Sequence, residues 1–280
     1  MITLIGSGNV ATWIAQRLQG NSRFPITQVY SRKLKHAQSL AELLNAEAID
    51  DIRQLNTDNQ IFIFALADKA YADILPQLPF TLPAAYMTSG TVSCQCLKDY
   101  AEHYGVIYPL QTFTKSQDMR TLEVPLCLEY HDSQSPTLPS VETPQEPTLP
   151  SVEIPSEPTL PSVEYDQMHS LARELSPKCY EVSESQRARL HLAAVFACNF
   201  SNAMYNVAHK LLQEKDLPFE MLIPLLHQTV QKLETLTPAE AQTGPAARRD
   251  LNVMQKQMES LEDPKYKEIY QLMSNLIMKF

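Results

Sequence analysis

The stretch that most constrains this chain is its beginning, MITLIGSGNVATWIAQRL. A short apolar β-type run, Met1 to Ile5, passes through Gly6, Ser7, Gly8, Asn9, Val10 and Ala11. It then enters a pattern with Val10, Trp13, Ile14 and Leu18 at helical spacing. This is GxGxxA with a strand before it and a helix after it. Gly6 permits the tight turn, Gly8 lets the backbone approach a pyrophosphate, and Ala11 lets the helix pack closely on the strand. The pyrophosphate is expected at the helix N-terminus, where free N–H groups and the dipole favour negative charge. The alternative is a glycine turn in a nucleotide-free α/β domain.

The next strand, Ile26 to Tyr30, bears on which dinucleotide binds. An NAD site ends this strand in an acid that holds the ribose 2′-hydroxyl, whereas an NADP site carries Arg and polar groups around the 2′-phosphate. Here the strand runs into Ser31, Arg32 and Lys33 with no acid among them, so NADP is expected. Arg offers a planar fork for phosphate, Lys a point charge and Ser a hydroxyl. A solvated basic turn is the plainer reading.

A length of 280 residues suffices for two domains with a substantial core. The net charge of −9, with basic residues scattered, argues against a nucleic-acid surface. No apolar run reaches membrane-spanning length and no charged leader precedes Met1, which suggests a soluble cytoplasmic protein. Five cysteines do not form a disulfide framework for such a chain, and Cys94 with Cys96 lack a second ligand pair for zinc. No metal is expected.

A βα alternation continues, with helix-type His36–Leu44, a short extended piece at Glu47–Ile52 and the apolar strand Gln60–Leu66. Ala65, Leu66 and Ala67 follow at the carboxyl end, where this fold passes its cofactor. Ala84–Met87 reads as a strand ending in Thr88, Ser89 and Gly90, followed by a helix from about Val92 to Tyr104. Thr88 and Ser89 are candidates both for ligand contact and for capping that helix. Strands at Gly105–Tyr108 and Val124–Tyr130 complete a mostly parallel, Rossmann-type sheet over residues 1–131.

PTLPSVE then repeats at Pro136, Pro147 and Pro158. Such acidic, Pro-rich sequence has too little apolar surface to order, so residues 132–164 read as a disordered or extended insert. A Pro-rich ligand for a partner is the alternative. From 165 to 280 the pattern is helical. A helix over Gln167–Leu175 and an extended Lys178–Val182 precede a Ser183/Gln186 capping box, which opens a helix to about Lys215. Further helices run from Pro218, from about Ala246 and from Pro264. The apolar stripes suggest an all-α bundle that buries surface against a second copy.

The long helix carries His191, Asn199 and Asn202 in an apolar run. On an ideal helix eleven residues make about three turns, which puts His191 and Asn202 on one face. A bound ligand would satisfy these polar groups. Helix-to-helix contacts would do so equally well.

YPLQTF (Tyr108 to Phe113), HLAAVFACNFSN (His191 to Asn202), PLLHQTVQK (Pro224 to Lys232) and QTGPAARRD (Gln242 to Asp250) resemble a bacterial group of proposed NADP oxidoreductases. Its members join a Rossmann domain to a helical domain of unknown function. The resemblance implies a fold similar to pyrroline-5-carboxylate reductase, the 6-phosphogluconate dehydrogenase group and the deazaflavin-dependent NADP oxidoreductases, whose helical domains dimerise and complete the site. Met87 stands where relatives suggest a histidine. The lysine and asparagine, four apart, of the hydroxyacid dehydrogenases are also absent. The resemblance implies no substrate. The activity expected from the residues is hydride transfer between NADP(H) and a small carbonyl or imine in an interdomain cleft, with His191 as proton donor beside Asn199 and Asn202. A non-catalytic NADP sensor or scaffold is the alternative.

Overall fold

In the computed structural model, residues 1–133 and 163–279 are described. Residues 134–162, with most of the PTLPSVE repeat, lie outside them. The chain forms two compact units, Met1–Ala194 and Val195–Phe280.

The first unit is built on eight strands: β1 Ile2–Ile5, β2 Ile26–Tyr30, β3 Glu47–Ile49, β4 Ile61–Phe64, β5 Leu82–Met87, β6 Ala101–Pro109, β7 Leu126–Asp132 and β8 Cys179–Glu181. They lie in the order β3-β2-β1-β4-β5-β6-β7-β8. Strands β1 to β6 are mutually parallel, and β7 runs antiparallel to β6. From β1 the chain winds outward through β2 and β3, then returns to β4 on the other side. This is the doubly wound Rossmann topology, whose switch point lies between β1 and β4.

Both sheet faces are dry, and the strand alternation divides the core between them. Ile61 and Ile63 of β4 pack with Trp13, Ile14 and Leu18 of α1 (Asn9–Leu18), and with Ala37 and Leu40 of α2 (Leu34–Leu44). Phe62 and Phe64 face Ile52, Leu97, and Tyr71 and Ile74 of α3 (Tyr71–Ile74) on the other side. Burial on both faces explains why β4 reads as a continuous apolar run.

Two expectations change. Val92–Tyr104 is not a helix: Ser93 caps a short 3₁₀ turn, Cys94–Leu97, and the chain enters β6 at Ala101. The nine residues of β6 pair with β5 on one side and β7 on the other, so sheet pairing outweighs the local helical pattern. The helical region expected from residue 165 is also divided. Helix α4 (Val163–Leu175) buries Met168, Leu171, Ala172 and Leu175 in the core of the first unit, and β8 pairs with β7. The sheet-bearing unit therefore continues past the repeat, and β7 and α4 take both ends of the expected insert.

Helix α5 (Glu184–Ala194) opens with the expected capping box: Gln186 N–H donates to Ser183 Oγ at 3.3 Å and Ser183 N–H to Gln186 Oε1 at 2.8 Å. It ends the first unit. The second contains a π-helical turn, Val195–Phe200, then α6 (Ser201–Gln213), α7 (Ile223–Gln231), α8 (Pro238–Ala241), α9 (Leu251–Ser260) and α10 (Pro264–Ile277). Helix α9 starts at Leu251 rather than near Ala246 because Asp250 caps it, accepting from Val253 N–H at 3.2 Å. Among the described residues no helix is long and apolar enough to cross a membrane.

Candidate dinucleotide site

At the switch point the turn after β1 lies beside the end of β4. Gly6 has φ +123°, and a Cβ there would stand 2.2 Å from the Ala65 carbonyl oxygen, so the turn requires glycine at this position. Gly8 faces open space, with nothing within 4 Å of a Cβ position. Helix α1 starts behind it with no side-chain cap and no acid in its first turn. Its first N–H groups are therefore left for an anion.

A cleft of about 370 Å³ joins this turn to the end of β2. Gly6, Ser7, Gly8, Ser31, Arg32, Lys33, Ala65, Leu66 and Ala67 all line it, which brings nine of the thirteen expected cofactor residues into one cavity. Tyr30 and His36 line it as well, without having been anticipated. Ser7 and Ser31 are tied by a 2.8 Å hydroxyl–hydroxyl hydrogen bond, which couples the glycine turn to the basic turn. Helix α2 begins at the basic turn, again without a side-chain cap or an acid in its first turn. Asp51 is held by Arg53 at 2.7 Å, and among the described residues no carboxylate pairs with Arg32 or Lys33. Burial raises the Tyr30 phenol, with Arg32 opposing, so Tyr30 enters the cleft uncharged at neutral pH. Shape, open N–H groups and unpaired cations fit a dinucleotide carrying an extra phosphate.

The other four expected contacts are occupied elsewhere. Asn9 donates to the Phe113 carbonyl at 2.7 Å, and Val10 packs against the core. Thr88 donates to the Phe64 carbonyl at 3.3 Å. Ser89 donates to Asp68 at 2.8 Å and accepts from the N–H groups of Thr91 and Val92, which is the capping role, here in a loop rather than on a helix.

His191 lies at the same edge of the sheet. Its Nδ1 is 2.9 Å from the hydroxyl of Tyr108, at the carboxyl end of β6, and its ring rests over Gly90. A Cβ on Gly90 would meet His191 Nδ1 at 2.5 Å and Tyr108 Cζ at 2.9 Å, so glycine makes room for the pair. Burial pushes the Tyr108 phenol up to about 12, with Cys127 adding to this and Arg187 opposing it. Four residues before His191, Arg187 is fully buried and shares its helix face. It donates to the Ser89 carbonyl at 3.0 Å and to Glu129 at 3.3 Å, fixing α5 against the β5 loop and β7. Tyr108 opens the YPLQTF motif and Gly90 ends a strand signal, but their roles, and that of Arg187, are recognisable only once β5, β6 and α5 converge. Two signals were nonetheless present: Tyr108 ends a strand parallel to the one carrying Thr88, and Arg187 is one turn from His191.

Asn199 and Asn202 belong to the second unit. They line a shallow hollow there with Tyr205, Asn206, His209 and Phe219. The π-turn interrupts the count of ideal turns that set His191 and Asn202 on one face, because its hydrogen bonds span five residues.

Cys94 pairs with neither Cys96 nor a metal-like set of thiols. Its thiol donates to Glu129 at 3.2 Å, and His131 Nε2 lies 3.0 Å from the same oxygen. These three are a group of metal-ligand type among the described residues, but the Arg187 guanidinium already satisfies the other carboxylate oxygen.

Comparison with known proteins fits this geometry. A crystal structure described as a "putative NADP oxidoreductase" from Bacteroides fragilis is 33% identical, with a TM-score of 0.82 over 100% of this chain and 98% of that one. The chain belongs to this NADP oxidoreductase family. Within it, residues 159–277 match the model of a domain of unknown function, DUF2520. More distant likeness, in fold alone, extends to 1-pyrroline-5-carboxylate reductase of Streptococcus pyogenes, at 15% identity and TM-score 0.61 over 100% and 98% of the two chains. It extends also to a reductive aminase of Aspergillus terreus in complex with NADPH and ethyl-5-oxohexanoate, at 14% identity and TM-score 0.58 over 92% and 77%. No curated protein matches the family member described here.

Proposed function

We propose that the protein is an NADP-dependent oxidoreductase acting on a small carbonyl or imine compound. The observation that carries this reading is the single cleft in which an open glycine turn and the unpaired Arg32 and Lys33 meet. The turn and the α1 N-terminus take the diphosphate, Ser31, Arg32 and Lys33 the 2′-phosphate, and Ala65 to Ala67 border the remainder. Bound NADPH supplies the hydride.

The chain supplies the proton. Tyr108 keeps its own proton at neutral pH and donates it to His191 Nδ1, which leaves the imidazole hydrogen on Nε2, the nitrogen facing away from Tyr108. That nitrogen gives its proton to substrate as Nδ1 takes up the Tyr108 proton, so the ring stays neutral and the phenolate is reprotonated from solvent; Tyr108 thus also sets the tautomer. Asn199 and Asn202 are assigned to substrate contact, within a helical region that serves substrate binding and dimerisation. Phe196 at 61% exposure, Leu225 at 61% and Leu272 at 69% support a homodimer through the helical unit.

Titration with NADPH and NADH tests the cofactor assignment. NADPH binds more tightly and Arg32→Ala removes most of the difference; equal affinities in the unmodified protein would sink it. Oxidation of NADPH with a panel of ketones, aldehydes and cyclic imines then tests turnover. Tight NADPH binding with no turnover on any of them would favour the sensor.

A further inference from the structure

The segment between β6 and β7 lies along α1 and is fastened to it at several points. Phe113 stacks on Trp13 with ring centroids 5.2 Å apart, its carbonyl accepts from Asn9 at 2.7 Å, and Met119 N–H donates to Gln16 at 2.8 Å. These attachments deliver one cation to the glycine turn: the Lys115 ammonium donates to the carbonyl of Ser7. Ser7 lies between the two glycines and lines the dinucleotide cleft. Among the described residues no carboxylate pairs with Lys115. A single backbone carbonyl is a weak partner for an ammonium, which has three donors to place. A phosphate oxygen would form the stronger, charge-assisted bond.

We propose that Lys115 is a ligand for the diphosphate bridge of the bound dinucleotide, turning from the Ser7 carbonyl to a phosphate oxygen when the cofactor enters. Three features converge on this. The first turn of α1 has neither an acid nor a side-chain cap, so its open N–H groups are a second positive element at that end of the cleft. Arg32 and Lys33 stand at the end of β2 and serve the far phosphate. In a chain of net charge −9, attraction for the diphosphate has to be local, and Lys115 is a cation placed at the turn.

The proposal rests on the dinucleotide reading above, and the two assignments separate by cofactor. The diphosphate is common to NADPH and NADH, whereas the 2′-phosphate is not. Full-length Lys115→Ala, Lys115→Arg and Arg32→Ala are titrated with both cofactors, alongside the unmodified protein. Lys115→Ala weakens both by the same factor, ~10-fold or more, as expected for the loss of a hydrogen bond to a charged group. Lys115→Arg retains most of the affinity for both. Arg32→Ala weakens NADPH alone. A Lys115→Ala protein that binds both cofactors as tightly as the unmodified one would overturn the proposal and make the lysine a latch for its own loop. A loss confined to NADPH would overturn it too, by moving the lysine to the 2′-phosphate. If the unmodified protein bound neither cofactor, the dinucleotide reading would fail and this inference with it. Lys115 is exposed, so substitution leaves the core untouched; the arginine variant, which keeps the charge, separates charge from any effect on the loop.

Discussion

Trp13 on α1 and Leu272 on α10 are both large apolar side chains on amphipathic helices, yet Trp13 has no exposed surface and Leu272 is 69% exposed. The contrast extends through the two units. In the first, Ile2, Leu4, Phe62, Phe64, Tyr86 and Leu171 are wholly buried around the sheet. In the second, the described buried residues are only Ala246, Met254 and Ser274, while Phe196, Met221, Leu225, Val230 and Leu251 are each more than half exposed. A sheet covered on both faces closes its own core. A set of amphipathic helices with so few buried positions does not, and its apolar faces need an outside surface to cover them. The first unit closes its own core around the dinucleotide cleft, whereas the second leaves its apolar helix faces uncovered, the faces that the proposed dimer would cover.

Matched truncations put that difference at risk. Trp13→Ala removes a fully buried indole and destabilises the protein by ~3–5 kcal/mol, read by denaturant unfolding, at every protein concentration. Leu272→Asp leaves the first unit's core alone and acts on assembly: sedimentation velocity shows a shift toward monomer. Concentration-independent sedimentation of the unmodified protein as a monomer would break the comparison.

The next largest effect probes the polar part of the first unit's core. Burial pushes the Glu129 carboxyl up, but the hydrogen bonds from His131 and Cys94 and the charge of Arg187 outweigh it, leaving the group below its ordinary range. A carboxylate held low when folded stabilises the native state above its unfolded value of ~4.3, and that contribution is lost as pH falls through the folded value. Glu129→Gln leaves Arg187 buried without its counter-charge and costs about 3 kcal/mol at pH 7. The gap between variant and unmodified protein then narrows as pH drops below ~4.3. A gap constant from pH 7 to pH 3 would show that the pair carries no net charge effect.

How much of this was legible in the sequence follows from how local each signal is. The glycine turn, the basic end of β2 and the end of β4 each have their meaning within a few residues, and all three line one cleft. The Val92–Tyr104 segment failed because its state is decided by pairing with β5 on one side and β7 on the other, which no pattern within the segment reports. Residues 165–194 read correctly as helix, strand and helix start but joined the other unit, since periodicity reports an apolar face without naming what covers it. In the sequence Arg187 is one of two arginines in the run SESQRARLH, with nothing local to mark it as buried. Its burial depends on Glu129 in β7, 58 positions earlier in the chain, which no spacing argument connects to it.

The smallest expected effects ask which unit holds the proton chemistry. If it belongs to the first, His191→Gln lowers turnover of any accepted substrate by at least ~100-fold, the range that general acid catalysis contributes, with NADPH affinity nearly unchanged. Tyr108→Phe keeps the ring beside Gly90 and removes only the hydroxyl that holds His191 Nδ1. Turnover then falls less, by ~10-fold, because the imidazole remains present but divides its time between tautomers. The double variant loses little beyond His191→Gln, since the hydroxyl acts only through the ring. Asn202→Ala raises KM and leaves kcat close to the unmodified value, as loss of uniform substrate binding does. A Tyr108→Phe enzyme with unchanged kcat would remove the tyrosine from the mechanism. Equal kcat losses in Tyr108→Phe and Asn202→Ala would mean that the second unit supplies reacting groups as well as binding surface. Gln is chosen for His191 because it keeps hydrogen-bonding capacity and near bulk, so a fall in activity per folded molecule reports the lost proton rather than a cavity.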